Sequence, residues 1–159
     1  MANYATSNAL GGTLITLSGT YVTIINAYSS STTALRRGKI YDLLVGSLGS
    51  PADAYFEWDV SRFSVTISIS ATAVTPSPLD TADAAMLGVS YANSTADSTY
   101  LTGASVFNVG VNQRASYRWV AAPGSELVYP EVNLNGLALR VKTGGSSING
   151  SGQLYIQEQ

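Results

Sequence analysis

The sequence contains no cysteine and no histidine among its 159 residues. Without cysteine, the chain can form no disulfide, no thiolate metal site and no cysteine nucleophile. Without histidine, it lacks the side chain that most often acts as a general base or a metal ligand near neutral pH. These absences favour a protein that is not an enzyme and that carries no cofactor and no metal.

Charge is scarce as well. Charged residues make up 11% of the chain, compared with about 25% in a typical soluble domain. The formal net charge of −2 provides no positive field that would attract nucleic acid or anionic lipid. No apolar run approaches the length of about 18 residues that a membrane helix needs, and no export signal opens the sequence. We therefore expect no nucleic-acid or membrane partner, and synthesis in the cytoplasm.

Hydroxyl groups supply the polarity that ions do not. The chain has 21 Ser, 15 Thr and 10 Tyr. A hydroxyl costs far less free energy than an ion when another protein covers it. Such a composition favours a surface that is largely covered by other protein.

Short segments alternate apolar and polar residues, and Gly, Pro, Asn and Ser separate them. This pattern is typical of half-buried β-strands. The predicted strands cover residues 13–17, 21–28, 39–46, 54–60, 62–70, 87–92, 105–111, 116–121, 126–129, 137–142 and 153–157. The sequence therefore predicts an all-β fold, an antiparallel β-sandwich of the jelly-roll type.

Residues 1–12 differ from the rest because Tyr4 and Leu10 are their only large apolar residues after Met1, and Gly11 and Gly12 follow. This composition predicts a flexible N-terminal arm, and residues 13–159 form a single β-sandwich domain. We expect removal of the arm to leave the fold intact.

The strand around residue 60 shows a change of parity. Phe56, Trp58 and Val60 occupy even positions, whereas Phe63 and the apolar residues up to 69 occupy odd ones. The inward face would then switch near residues 61–62, which predicts a bulge or a tight turn there.

Residues 74–87 and 49–53 escape the strand pattern and are predicted to be exposed loops. Pro76 and Pro78 cannot donate ladder hydrogen bonds, and Asp80 could cap a short helical turn. Asp80 and Asp83 could instead offer oxygen ligands to calcium, but their spacing matches no known calcium loop, and we favour capping.

Glu57 and Asp59 lie two residues apart and therefore share one strand face. Two carboxylates so placed could act as an acid and base pair or hold a cation. Solvated carboxylates, or ion pairs with Arg36, Arg37 or Arg62, are the favoured interpretation. The sequence thus predicts no catalytic, cofactor-binding or metal-binding residue.

The stretch NQRASYRWVAAPGSELVYP combines arginines with aromatic residues. Alternation predicts that Tyr117 and Trp119 fill the core while Arg118 faces outward. Glu126, after a predicted turn, is a possible partner of Arg114 or Arg118, within the strand or across a subunit boundary. Arg is enriched in protein interfaces, whereas Lys is depleted, so the arginines are candidate contact residues.

Several stretches resemble the small decoration, or cement, proteins of tailed bacteriophages, which bind the outside of the phage head. They are MANYATSNALGGT, RRGKIYDLLVGSLGSPAD, VTPSPLDTADAA, NQRASYRWVAAPGSELVYP and NGLALRVKTGG. The resemblance implies a β-sandwich that assembles on the capsid, commonly as a homotrimer at three-fold positions, and clamps neighbouring major capsid protein subunits. It implies a place on the outer surface of the virion and carries over no catalytic residue.

The first hypothesis is therefore a capsid decoration protein. The candidate interface residues are Tyr4, Leu10, Arg36, Arg37, Pro76, Pro78, Asp80, Asp83, Arg114, Arg118 and Glu126. A carbohydrate-binding, lectin-like module is the alternative, because jelly rolls often present Tyr and Trp to sugars, although the placement of Trp58 and Trp119 favours the core. A glycan-cleaving enzyme with two carboxylates is a third possibility.

Overall fold

The computed structural model describes residues 1–64, 71–95, 100–145 and 147–159. In these residues the chain forms two antiparallel β-sheets and a short 3-10 helix, Asn8–Gly11. The strands are Ala2–Ser7 (β1), Val22–Ser29 (β2), Gly38–Leu48 (β3), Tyr55–Phe63 (β4), Thr72–Val74 (β5), Ser77–Pro78 (β6), Val89–Ala92 (β7), Tyr100–Asn112 (β8), Tyr117–Val120 (β9), Leu127–Tyr129 (β10), Asn135–Thr143 (β11) and Asn149–Glu158 (β12). The predicted all-β sandwich is confirmed.

The two sheets have different central strands. In the first sheet the order is β10-β3-β12-β1-β6, and β9 also pairs with β3. In the second sheet the order is β5-β7-β2-β11-β4-β8. The last strand in sequence, β12, thus lies between β3 and β1 in the interior of the first sheet.

The core lies between the sheets and follows the predicted alternation. Phe56, Trp58 and Val60 of β4 have no exposed surface, and neither do Leu137 and Val141 of β11. From the first sheet, the fully or almost fully buried partners are Ile40, Leu43, Val45, Leu154 and Ile156. Their spacing is a multiple of two residues within each strand, which makes the strands one-sided, except in β3, where Tyr41 is an extra residue and Ile40 and Leu43 are three apart.

The predicted flexible arm is wrong. Residues 2–7 form β1, which pairs with β12 on one side and with β6 on the other. Tyr4 is only 2% exposed, and its hydroxyl donates a hydrogen bond to the carbonyl oxygen of Ala84 at 2.9 Å. Its neighbours in β1 are small, so the segment lacks the large apolar residues by which the other strands were recognised. Removal of residues 2–12 therefore deletes an interior strand of the first sheet.

Asn8 connects this N-terminal segment to both sheets. Its amide nitrogen donates to Asn93 Oδ1 at 3.2 Å and to the Gly150 carbonyl at 3.0 Å, while Asn8 Oδ1 accepts from the Gly152 amide at 2.9 Å. Asn93 Nδ2 donates back to the Asn8 carbonyl at 2.9 Å. Asn8 has no exposed surface, so these bonds give both its amide nitrogen and its amide oxygen partners in place of water.

The strand predicted at residues 13–17 is not formed. This segment makes only an isolated bridge between Thr16 and Asn149. Leu17 is nevertheless fully buried, and its amide donates to the Ile148 carbonyl at 2.9 Å. The apolar residue is thus a core anchor on an irregular connection.

Strand β2 differs from the one-sided pattern that the sequence suggests. Leu139 pairs with Ile25 and Arg140 with Thr23, which leaves Ile24 as an extra residue in the ladder. Because this bulge shifts the alternation of inward-facing and outward-facing side chains, Ile24 and Ile25 both lie in the core. Tyr28 belongs instead to a separate cluster with Phe63 and Ala138.

The parity change near residues 61–62 has a related explanation. The pairing of β4 with β8 is irregular on both sides of Ser61, as predicted. However, β4 stays in register with β11 from Phe56 to Phe63, so its inward face does not switch. Phe63 instead packs with Tyr28 on the other face of the second sheet. The rest of the predicted strand, residues 65–70, lies outside the described residues.

The loop predicted at residues 74–87 is partly a strand. Ser77–Pro78 forms the edge strand β6 beside β1. The backbone donor that proline lacks is tolerated at such an edge, because no further strand of the described chain lies beside it to accept a hydrogen bond. Pro76 is buried. Asp80 caps a turn, not a helix, and its Oδ1 accepts from the Ala82 amide at 2.9 Å. Residues 79–82 are exposed, as predicted.

We predict that Asn8→Ala lowers the free energy of unfolding by about 3 kcal/mol, because it leaves several buried polar groups without partners. Leu10→Ala in the same 3-10 helix is the matched control, since Leu10 is 59% exposed, and it should change stability by less than about 0.5 kcal/mol. Urea unfolding followed by tryptophan fluorescence measures both. Equal stability of the two variants would contradict the role of Asn8.

Candidate binding surfaces

A network of charges covers part of the outer face of the second sheet. The register places Arg140 opposite Asp59 and Lys142 opposite Glu57. Arg140 Nε lies 2.7 Å from Asp59 Oδ2, and Lys142 Nζ lies 2.8 Å from Glu57 Oε2. Both carboxylates are ion-paired, but the expected partners, Arg36, Arg37 and Arg62, are wrong, and the alternative of solvated carboxylates is wrong for Asp59, which is 2% exposed. The true partners come from the adjacent strand, and only the strand register identifies them.

Aromatic rings and hydroxyls complete this network. The Arg140 guanidinium lies between two rings, 4.5 Å from the centroid of Tyr21 and 4.2 Å from that of Tyr100. Tyr21 donates to Glu57 at 2.6 Å. Hydrogen bonds from Lys142, Tyr21 and Asn108 lower the pKa of Glu57 to about 2. The two carboxylates are therefore held as anions, in an arrangement that favours sheet stability over acid and base chemistry.

Asp59 shows the same balance in a more buried position. Burial alone would raise the pKa of this carboxyl, but hydrogen bonds from Ser105, Ser61 and Arg140 outweigh burial and lower it. Asp59 is only 2% exposed. It therefore has no surface on which to meet a substrate.

Arg118 is also engaged within the chain. Its Nε donates to both carboxylate oxygens of Asp42, at 3.0 and 3.1 Å, and its Nη2 bonds Oδ2 as well. Within the chain, Glu126 forms no ion pair with Arg114 or Arg118, so the predicted partnership is wrong for a single chain and stays a prediction across a subunit boundary. Glu126 accepts from the amide of Gly124 at 3.2 Å and so closes its own turn, and this turn lowers the pKa of Glu126. Arg114 is exposed.

Strand β8 forms a long edge of the second sheet. It runs for 13 residues, YLTGASVFNVGVN, with no charge and no proline. It pairs with β4 on one side, and within the described part of the chain no strand pairs with its other side. The other outer strands, β5, β6, β9 and β10, are two to four residues long. A short strand or a proline protects a sheet edge from pairing with another chain. Strand β8 is long and contains no proline, so its edge lacks both protections.

Half-buried core residues lie along this edge. Phe107 packs against Tyr117 and Trp119 of the first sheet, with centroid distances of 6.2 and 5.5 Å. The predicted contribution of both β9 rings to the core is confirmed. These rings and the inward-facing Val109 and Val111 remain partly exposed, whereas their β4 neighbours are fully buried. We call β8 with Phe107, Tyr117 and Trp119 the open edge.

A second surface is a cleft of about 620 Å³, which we call the arginine cleft. It is lined by Arg37, Arg62, Val128, Pro130, Glu131 and Gln159. Arg62 Nη1 donates to the Val128 carbonyl at 2.9 Å, and the Gln159 amide donates to the Arg37 carbonyl at 2.9 Å. In the described portion of the chain, neither guanidinium has an ion-pair partner. The cleft thus presents two uncompensated arginines.

A third surface is the loop of residues 79–87, which we call the aspartate loop. Leu79 and Leu87 are 53% and 48% exposed, and Asp80 and Asp83 lie between them. The loop is anchored from inside, because Tyr4 binds the Ala84 carbonyl. In addition, the Glu158 carboxylate accepts from the amides of Leu87 and Gly88 at 3.0 and 2.7 Å.

The other predicted contact residues are scattered. Tyr4 and Pro76 are buried, so they offer no contact surface on the single chain. Leu10 is exposed, Pro78 is half-buried in β6, and Arg36 is half-buried with its Nη1 on the Leu35 carbonyl at 3.0 Å. Sequence reasoning missed the open edge as a surface, although the absence of charge from residues 100–112 was a readable signal.

Comparisons with protein-family models, curated proteins and solved structures find no match to this chain. Within the described ranges, no helix is long and apolar enough to cross a membrane. No group of three or more acidic side chains there could hold a metal ion. The open edge, the arginine cleft and the aspartate loop are therefore the candidate functional surfaces.

We predict that the stability contributed by Glu57 depends on pH. Because its pKa is lowered from 4.5 to about 2, the ionised form stabilises the fold fully above pH 4.5, and this contribution is lost as the pH falls toward about 2. Wild type should therefore melt at a higher temperature than Glu57→Gln near neutral pH, and the two should converge at low pH. In a Lys142→Met background the difference should shrink. A difference that does not vary with pH would contradict this role.

Proposed function

We propose that this chain is a structural protein of a tailed bacteriophage, a capsid decoration or cement protein. It binds the outer surface of the head, clamps neighbouring major capsid protein subunits and thereby stabilises the shell. It acts as a homotrimer without catalysis and resides on the outer surface of the virion. The resemblance described in the sequence analysis motivates this proposal, and the surfaces described above support it.

The open edge is the observation that carries the proposal. A long edge strand can accept an extended segment of another chain by main-chain hydrogen bonding. Phe107 and Trp119 would then become covered, and aromatic residues are enriched in protein interfaces whereas most charged residues are depleted. The free surface of this edge therefore fits contact with protein.

The charge distribution supports the same role. Glu57, Asp59 and Asp42 are neutralised inside the chain by Lys142, Arg140 and Arg118. These ion pairs reduce the number of free ions on the outer faces of the two sheets, which lowers the desolvation energy of covering those faces. On a shell, modest contacts are multiplied over many symmetric copies, because each further contact of a bound copy is intramolecular.

The strand order supports the jelly-roll topology that we infer for the sandwich. Four strands, β1-β12-β3-β9, face the four strands β2-β11-β4-β8. Each sheet thus combines strands from both ends of the chain, as two nested Greek keys require. The remaining strands, β5, β6, β7 and β10, extend the sheets at their edges.

We favour capsid binding over the carbohydrate-binding alternative because of the tryptophan positions. Trp58 has no exposed surface, and Trp119 packs against Phe107. Neither ring is free to serve as a flat platform for a sugar. Tyr41 and Tyr155 are adjacent, but their rings are tilted by 47° and do not form a coplanar row.

The test is co-sedimentation of the purified protein with heads assembled from the major capsid protein of the same genome. We expect saturable binding with a fixed number of copies per head, and heads that resist heat better when occupied. Absence of binding to mature heads, together with a specific hit on a glycan array, would favour the lectin-like alternative and refute the proposal.

We predict that Gly110→Pro lowers head binding at least about tenfold, because proline cannot donate a main-chain hydrogen bond to an added strand and ~1.4 kcal/mol suffices for a factor of ten. Gly110 lies exposed on β8, and a Cβ there would meet no atom closer than 3.9 Å, so the fold should tolerate the change. Thr32→Pro, at an exposed position between β2 and β3, is the control with the same loss of a main-chain donor. Equal occupancy of the two variants on heads would exclude the open edge as the contact.

A further inference from the structure

Opposite charges without partners gather at one end of the sandwich. Of the eight cationic residues, Arg118, Arg140 and Lys142 form ion pairs in the described chain. Arg37 and Arg62 do not, and both line the arginine cleft. Asp80 and Asp83 in the aspartate loop likewise have no ion pair there. Arg36, Lys39 and Arg114 form no ion pair there either, but they lie outside the lining of the cleft. The arginine cleft thus holds two unpaired cations, and the aspartate loop holds two unpaired anions.

These two surfaces are neighbours on the fold. The side chain of Glu158 holds the aspartate loop at Leu87 and Gly88. The next residue, Gln159, lines the arginine cleft and binds the Arg37 carbonyl. The loop and the cleft thus flank the end of β12, yet no ion pair joins them within one chain.

The apolar parts of the two surfaces match as well. The aspartate loop carries the exposed Leu79 and Leu87 on either side of its acids. The arginine cleft has Val128 and Pro130 between its arginines. Glu131 also lines the cleft, so the charged side chains of the lining are two guanidinium groups and one carboxylate. An anionic loop with apolar flanks is therefore the kind of partner that this cleft fits.

We propose that the aspartate loop of one copy docks into the arginine cleft of a second copy of this chain. Arg pairs with carboxylates through a planar fork, which gives such a contact a defined orientation. The proposal deepens the self-association that is part of the proposed function, since it identifies the surfaces that meet.

The placement of the surfaces also determines the kind of assembly. A loop that meets a cleft gives a heterologous contact when the copies are arranged head to tail, and an isologous two-fold contact when each loop enters the cleft of the other copy. Surfaces on opposite ends of a molecule favour an open filament. Here both lie at the same end, beside Glu158 and Gln159, which favours a closed assembly with few copies, either a two-fold pair or a small ring.

The backbone of the aspartate loop is held in place before a partner binds. Tyr4 and Glu158, both less than a tenth exposed, anchor its backbone from inside. A loop that is already ordered loses little conformational entropy when it binds. This anchoring gives the burial of Tyr4 and Glu158 a role in assembly as well as in the fold.

The test uses charge reversal on each surface, with the mass of the full chain measured by light scattering after size exclusion. The wild type should have a mass that is a whole multiple of 16.6 kDa. R37E/R62E and D80R/D83R should each raise the dissociation constant for self-association at least tenfold. The combined variant R37E/R62E/D80R/D83R should restore assembly, because its charges are exchanged and remain complementary.

R114E is the matched control, since Arg114 is exposed but lies outside the cleft, and it should assemble like the wild type. Circular dichroism and melting temperature establish that each variant is folded. Wild-type monomers, assembly that survives either reversal, or a folded combined variant that stays monomeric would each overturn the proposal.

Assembly and head binding can fail independently. A wild-type monomer that still saturates heads would overturn the docking of loop and cleft and leave the decoration function standing. An oligomer that forms and dissociates on charge reversal, but does not bind heads, would support the docking and overturn the decoration function.

Discussion

The buried amide of Asn8 is the contact on which the joining of the two sheets depends at the N-terminal end. It binds the backbone of β12 in the first sheet and the side chain of Asn93, which follows β7 of the second sheet. Asn93 has a positive φ of 56°, a conformation that Asn tolerates better than most residues. The pair thus fixes the position of β1, and through Tyr4 it fixes the base of the aspartate loop.

The sequence was sufficient to predict strands wherever large apolar residues alternate, as in β3, β4, β11 and most of β12. It failed for β1, because the small residues around Tyr4 give no amphipathic signal although both neighbouring strands pair with it. It also failed for Thr13–Leu17, where one buried leucine resembled a strand. The ion-pair partners Arg140 and Lys142 were beyond prediction, because they follow from the register of β11 against β4, which no local pattern reveals.

The distribution of charge relates the fold to the proposed surfaces. On the outer face of the second sheet, cations and anions lie on adjacent strands in register, so each charge is neutralised by a side chain of the neighbouring strand. At the end of β12, the chain leaves arginines in a cleft and aspartates on a loop without this compensation. The open edge carries no charge at all. Three different kinds of surface thus arise from eight cations and ten acids.

The interior position of β12 has a consequence for how the molecule is made. Asn3 and Gln157 are 154 positions apart in sequence, yet they bind each other across the ladder of β1 and β12. Until β12 has been synthesised, the strand that lies between β1 and β3 is missing, and the first sheet cannot form as a whole. Stable folding must therefore follow synthesis of this strand, and such distant pairing predicts slow folding. A nascent chain of this protein is consequently a natural client for chaperones.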